Sequence, residues 1–281
     1  MRLRPVQWRD AWMQLAAAGV VMLLSAGLAA QTATYRVVRP SGPALLPTAS
    51  DSAIRRQLVQ SRSTPPGESP ALRWLIHPHS RIEWPRLTAG GSPAAIARVN
   101  LALEKLQLRS VREALDLIRR DPEDGNVIEG VDVHLAQGRF LTVKRSGAQE
   151  VHEVERSLDV RANTFDLVTG AALDLYAKYG LRKPGPAGVA RFSNAAFGGL
   201  FFEHLKQGKT AADLEFFRRC FETGAPRFDY LMIPKSDGLD VEVLFRERPS
   251  RPCNTVTRIP YDALQRLPGA SARHRERRFG V

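Results

Sequence analysis

Ile128-Glu129-Gly130-Val131-Asp132-Val133-His134-Leu135-Ala136-Gln137-Gly138-Arg139-Phe140-Leu141-Thr142-Val143-Lys144 is the stretch whose reading decides the fold. Val131, Val133 and Leu135 fall on alternate positions, the period of a strand with one buried face. Gln137-Gly138 supplies a turn, and Phe140 to Lys144 returns. A third alternating run, Leu158, Val160 and Ala162, leads to Phe165 and Leu167 and stops at Thr169-Gly170. Three consecutive strands joined in this way predict an antiparallel meander.

On the N-terminal side of the meander the period becomes helical. Ser92 is placed to cap and Pro93 suits a first helical position, where its missing N–H costs nothing. Ile96, Val99, Leu103 and Leu106 then share one face. Ser110 with Glu113 reads as a second capping box ahead of Ala114, Leu117 and Ile118, and Asp121 to Gly125 breaks the helix. On the C-terminal side, Ala187 to Leu205 reads as helical, and Thr210 with Asp213 opens another helix. Phe228 to Ile233 then leads through Lys235-Ser236-Asp237-Gly238 into Leu239, Val241 and Val243. The Asp-Gly pair is a hairpin-turn signal. Thr255 to Ile259 is one more strand and Pro260 to Leu264 a short closing helix. Strands in runs separated by helices in runs predict an α+β fold: an antiparallel twisted sheet built from a meander and a C-terminal hairpin, packed with several helices.

The chain of 281 residues begins with Arg2, Arg4 and Arg9 against Asp10, followed by an uncharged run from Leu15 to Ala30 that ends in small residues. A basic start, a short apolar core and a small-residue end make residues 1–30 a signal peptide. An uncleaved N-terminal anchor is the other reading of the same run. About fourteen residues precede it. Residues 31–71 read as a Pro/Ser-rich spacer, 72–268 as the folded α+β domain and 269–281 as a basic tail. The formal net charge is +12; residues 1–30 carry three of the arginines and one aspartate, leaving +10 after cleavage. Such an excess suits an anionic partner. Export disfavours nucleic acid, and the tail Arg273 to Arg278 is expected to make weak contact with anionic surfaces. The two cysteines, Cys220 and Cys253, match no CxxC redox or zinc spacing. In an oxidising compartment they are expected to form a structural disulfide, stabilising the fold by roughly 3 kcal/mol in the chain-entropy treatment.

Catalytic signatures are sparse. HExxH, GxSxG, GxxxxGK[ST] and GxGxxG are all absent from the mature sequence. His77 and His79 form an HPH without a carboxylate or Cys at ligand spacing, which predicts solvent-exposed imidazoles and no metal. His134 and His204 read as half-buried packing residues. His152, among Glu150, Glu153 and Glu155, is the one arrangement suited to general acid–base work. No cofactor is expected.

Three segments together resemble a known family. Phe165-Asp166-Leu167-Val168-Thr169-Gly170 followed by Leu173-Asp174-Leu175-Tyr176 is similar to the "FDLxTG…L.DLF" segment of RsiV-type extracytoplasmic domains. Asp237-Gly238-Leu239 resembles that family's "DGL" hairpin, and Ile259-Pro260-Tyr261-Asp262-Ala263-Leu264 its terminal "IPYxxL". Upstream, Trp84-Pro85-Arg86-Leu87 and Asn100 are similar to its "YPxL…N" opening, and Gly147-Ala148 with His152 loosely to its Gly-Ala-His stretch. Order and spacing agree from about 80 to 268. The chain departs from the pattern at Arg248 to Asn254, where the family has "APYxxG", and within the Gly-Ala-His stretch. Such domains occur in RsiV-like anti-sigma factors, where they bind lysozyme, and in some peptidoglycan deacetylases. Phe165, Asp166, Thr169, Gly170, Asp237, Gly238, Leu239, Pro260, Tyr261 and Leu264 read as fold determinants, with Gly170 and Gly238 supplying positive φ at their turns.

The resemblance and the missing catalytic motifs together imply an exported, non-catalytic binding or sensing domain of the bacterial cell envelope, periplasmic or secreted. Its partner would be an envelope protein or a cell-wall polymer. The alternative expectation is a peptidoglycan-directed hydrolase using His152 and its neighbouring carboxylates.

Overall fold

Two hydrophobic clusters organise the chain, one on each side of the meander. The computed structural model describes residues 50–65, 67–120, 126–151, 154–185, 188–221, 227–245 and 253–267, with the backbone alone for 126–128, 148–151 and 154–159. The signal run, residues 31–49 and 66 of the spacer, His152 and the basic tail lie outside the described residues. In order, the elements are α1 (Asp51–Gln57), β1 (Val59–Ser63), β2 (Leu72–Ile76), β3 (Glu83–Leu87), α2 (Pro93–Arg120), β4 (Asn126–Ala136), β5 (Phe140–Val151), β6 (Val154–Asp166) and β7 (Ala172–Leu173). They continue with α3 (Leu175–Lys178), α4 (Ala195–Leu205), α5 (Ala211–Cys220), β8 (Phe228–Pro234), β9 (Gly238–Phe245), β10 (Thr255–Pro260) and α6 (Tyr261–Gln265).

The fold is α+β and its sheets are antiparallel: β1-β2-β3, β4-β5-β6-β7 and β10-β9-β8. The meander forms as the alternation predicts, and the C-terminal hairpin forms in a sheet of its own. Strand alternation gives the meander two working faces. Val131, Leu141, Val143 and Phe165 point into the first cluster with Trp74, Trp84, Leu87, Val99, Leu103 and Val111. On the opposite face, Thr142 bonds Thr164 (2.9 Å) and Lys144 donates to Glu242 of β9 (2.7 Å). The C-terminal sheet uses its far face for the second cluster, where Tyr230, Met232, Val241, Val243 and Phe245 meet Phe197 and Phe201 of α4.

Three local expectations change. The two helices expected around Ser110 are one helix of 28 residues. Ser110 is buried within it, and the apolar stripe continues through Val111, Ala114 and Leu115. Glu113 faces Arg145 (3.3 Å) and does not close a capping box. Folded structure also begins before Leu72: α1 and β1 arise from the spacer, with Ile54 fully buried. The helix expected over Ala187 to Leu205 starts only at Ala195, where Asn194 caps through Ala196 and Phe197. Phe192 lies in the preceding segment and still packs in the core, 5.1 Å from the Phe201 ring.

Cys220, the last residue of α5, is joined to Cys253 with the Cα atoms 5.8 Å apart, as expected for an oxidising compartment. Among the described residues no helix is long and apolar enough to cross a membrane.

Candidate functional site

Three turns, distant in sequence, meet at one end of the molecule. The β4–β5 turn is closed by Arg139 N–H donating to Ala136 O (3.0 Å), with both central residues left-handed, Gln137 at φ 54° and Gly138 at φ 62°. Two positive φ values match the right-handed twist of the flanking strands. A glutamine seldom adopts such a conformation; here its side chain donates to Ser236 O in the β8–β9 turn (2.8 Å). Arg139 grips the third turn, after β6. Its guanidinium donates twice to Asp166 (2.9 and 3.2 Å), and Leu167 N–H donates to Arg139 O (2.8 Å).

Asp166 is buried, and its carboxylate also accepts from Val168 N–H (2.9 Å). Burial pushes its pKa up, but the Arg139 bonds and the turn N–H donors outweigh that and hold it below the ordinary carboxylate range. Thr169 accepts from Ala171 N–H through its hydroxyl and from Arg98 through its carbonyl (2.8 Å). Gly170 has the expected positive φ, 71°. Phe165 is buried against α2, and Val168 projects from the turn with 64% of its surface exposed.

The β8–β9 turn differs from expectation. Lys235 N–H donates to Gly238 O (2.8 Å), which makes Ser236-Asp237 the turn pair and puts Gly238 on the first position of β9. Gly238 does not carry a positive φ. Its glycine is needed for another reason: a Cβ there would lie 2.5 Å from Ile259 O of the paired strand. Tyr261 fastens this turn by donating through its hydroxyl to Lys235 O (2.9 Å) and through its N–H to Asp237 O (3.3 Å). Burial pushes the Tyr261 phenol up to about 12. Pro260 ends β10 and stands at the N-cap of α6, one residue before the helix. Leu239 and Leu264 are both buried in the second cluster.

Between the turns runs a polar seam that sequence reasoning did not single out. Lys235 Nζ donates to His134 Nδ1 (3.2 Å) and lies 3.9 Å from Asp240. Arg258 bonds Asp240 and Asp237, the latter at 2.6 Å. Burial, reinforced by the positive charge of Lys235, pushes His134 down to about 4. Strand pairing set by three sheets brings these residues together, and no local spacing announces it. Gln137, beside a glycine in the meander turn, was the available signal.

The upstream motif is also assembled. Asn100 of α2 accepts from Leu87 N–H (2.7 Å) and donates to Leu87 O (2.8 Å), satisfying an edge of β3. Trp84 donates to Glu129 (2.8 Å), which also receives Arg145 (2.9 Å), while Gly147 lies beside the Arg145 guanidinium. Burial raises the Glu129 pKa against the pull of Arg145. His77 is a correction: it is fully buried, not exposed. Its Nε2 donates to Gln57 Oε1 (2.8 Å) while Nδ1 accepts from Ser80 (3.2 Å), the pattern of a neutral ring, and burial takes it down to about 4. No group of three metal-ligating side chains occurs among the described residues.

At the turn end, then, Asp166, Asp237 and Asp240 are each bound to a cationic side chain, as Glu242 is further along β9, and the Nδ1 lone pair of His134 is occupied by Lys235. A carboxylate already paired and hydrogen-bonded is a poor proton acceptor. The arrangement ties the three turns to one another. No family model and no characterised protein matches the chain.

Proposed function

We propose that this protein is an exported, non-catalytic binding or sensing domain of the bacterial cell envelope, akin to RsiV-type extracytoplasmic domains, with the turn end as its recognition surface. The observation that carries this reading is the convergence of the resemblance's separate motifs, around Asp166, Asp237 and Tyr261, on one end of the molecule. There their polar groups hold loops in place and leave Val168 and Asp237 outward. Loops fixed on a sheet scaffold are where binding residues concentrate. The disulfide supports the extracytoplasmic part of the proposal, and the partner class is an envelope protein or cell-wall polymer.

Capture from an envelope extract at low and high salt, with the unaltered chain and with Val168→Arg, tests it. The expected result is a partner that survives high salt and is lost with Val168→Arg. Absence of any salt-resistant partner overturns the reading. So does peptidoglycan cleavage by the purified chain that disappears in His152→Ala, which would establish the hydrolase in its place.

A further inference from the structure

Helix α5 stands apart from the other long helices in how little of it is covered. Of its ten residues Cys220 is the one buried. It is nevertheless held firmly at both ends. Thr210 and Asp213 form a complete capping box at its start, and the Cys220–Cys253 bond pins its last turn. Phe217 packs inward against the second cluster, while Phe216 turns outward with 36% of its surface exposed, the two rings 5.4 Å apart. Helical spacing puts Phe216 on the same stripe as Ala212 and Arg219, both exposed.

Cations frame this stripe. Lys206 and Lys209 lie exposed in the turn before α5, and Lys209 Nζ sits 5.6 Å from the Phe217 ring centroid. Of the two acidic residues of the helix, Glu215 is paired with Arg218, and Asp213, bonded to the neutral Thr210, keeps its negative charge against three exposed cations, Lys206, Lys209 and Arg219. The surface offered to solvent is therefore positive with an aromatic at its centre, on a chain of net charge +12.

We propose that α5 and the turn before it form a peripheral membrane-contact face, on which Phe216 enters the headgroup region of an anionic phospholipid bilayer while Lys206, Lys209 and Arg219 meet its phosphates. Phe216 selects a bilayer over a soluble polyanion, since a polyanion is gripped by the cations alone, whereas an amphipathic helix lying on a membrane also buries its apolar side chain. This inference takes from the envelope reading only that a bilayer is within reach. The variants that read it differ from those at the turn end, so either proposal can fail alone.

Sedimentation with phosphatidylglycerol-containing vesicles, against pure phosphatidylcholine vesicles, tests it on the purified full chain. Binding to the anionic vesicles is expected, weakened roughly ten-fold or more by the pair Lys209→Glu and Arg219→Glu, and about five-fold by Phe216→Ser. Replacing Arg273, Arg275, Arg277 and Arg278 together by Gln should leave most of the binding. All these side chains are exposed or in the tail, and an intact disulfide in each variant serves as the folding control. Binding that follows the tail and ignores Lys209 and Arg219 overturns the proposal. Indifference to Phe216→Ser, with full competition by soluble polyphosphate, also overturns it and assigns the face to any polyanion. No binding to anionic vesicles overturns it outright.

Discussion

At Gly170 the backbone has φ 71°, and a Cβ added there would lie 2.7 Å from both the Cα and the carbonyl oxygen of Ala95 in the first turn of α2. Gly138 has a similar φ, 62°, but open space around it. The pair separates two effects that a glycine substitution usually mixes. Gly138→Ala meets only the left-handed conformation, a penalty of about 1 kcal/mol. Gly170→Ala adds a clash with backbone that cannot rotate away, so we expect a loss of at least about 3 kcal/mol. Urea unfolding of the two variants measures the difference. Equal midpoints would show that the post-β6 turn is free to lift from α2, contrary to the anchoring of Thr169 by Arg98 and of Asp166 by Arg139.

Among the elements, α2 carries the clearest contrast between a serine that caps and one that does not. Ser92 accepts from Ala95 N–H (3.2 Å) at the helix start, so Ser92→Ala should cost about 1 kcal/mol. Ser110, within the helix and buried, should tolerate alanine with a change below about 0.5 kcal/mol. Thermal unfolding of both variants checks the pair; a comparable loss at Ser110 would mean that the helix breaks where its local sequence invites a break. The elements were legible wherever one face is buried and the period is sustained: Val131 to Val143 for the meander, Leu239 to Val243 for the hairpin, Thr210 with Asp213 for α5. Legibility failed where packing overrode a local cue, as at Ser110, or where apolar residues were scattered, as with Ile54 in α1. It also failed where a glycine served a neighbour's backbone, as Gly238 serves Ile259. The turn end was half legible: its motifs were readable one by one, but Arg139, His134 and Lys235 join them only through strand register and sheet packing.

Across the whole molecule, two buried or half-buried histidines tie separate parts together, and the fold is expected to lose stability in mild acid. His77 links α1 to the β2–β3 connection through Gln57 and Ser80, with His79 beside it. His134 links the meander to the C-terminal hairpin through Lys235, with Asp132, Lys144 and Asp240 nearby. Both are pushed down from the ordinary 6.5 to about 4, in each case chiefly by burial. Between those values the unfolded chain binds protons that the folded chain refuses, so stability is full above about 6.5 and falls as the pH drops towards 4. Glu129 opposes the trend, since burial raises its pKa and lets the folded state take a proton first. Asp166, held below the ordinary range, loses its contribution only in stronger acid. Allowing for the partial exposure of His134, we expect a net loss of about 1–2 kcal/mol between pH 7 and pH 5. Urea midpoints at the two pH values, with the disulfide intact, measure it. His134→Asn should shrink the drop, because an amide at that position has no proton to gain, whereas a drop unchanged in that variant would place the acid sensitivity elsewhere. A seam that weakens below pH 6 would loosen the C-terminal sheet from the meander while leaving each hydrophobic cluster whole, so the turn end that spans both would lose its order before the molecule unfolds.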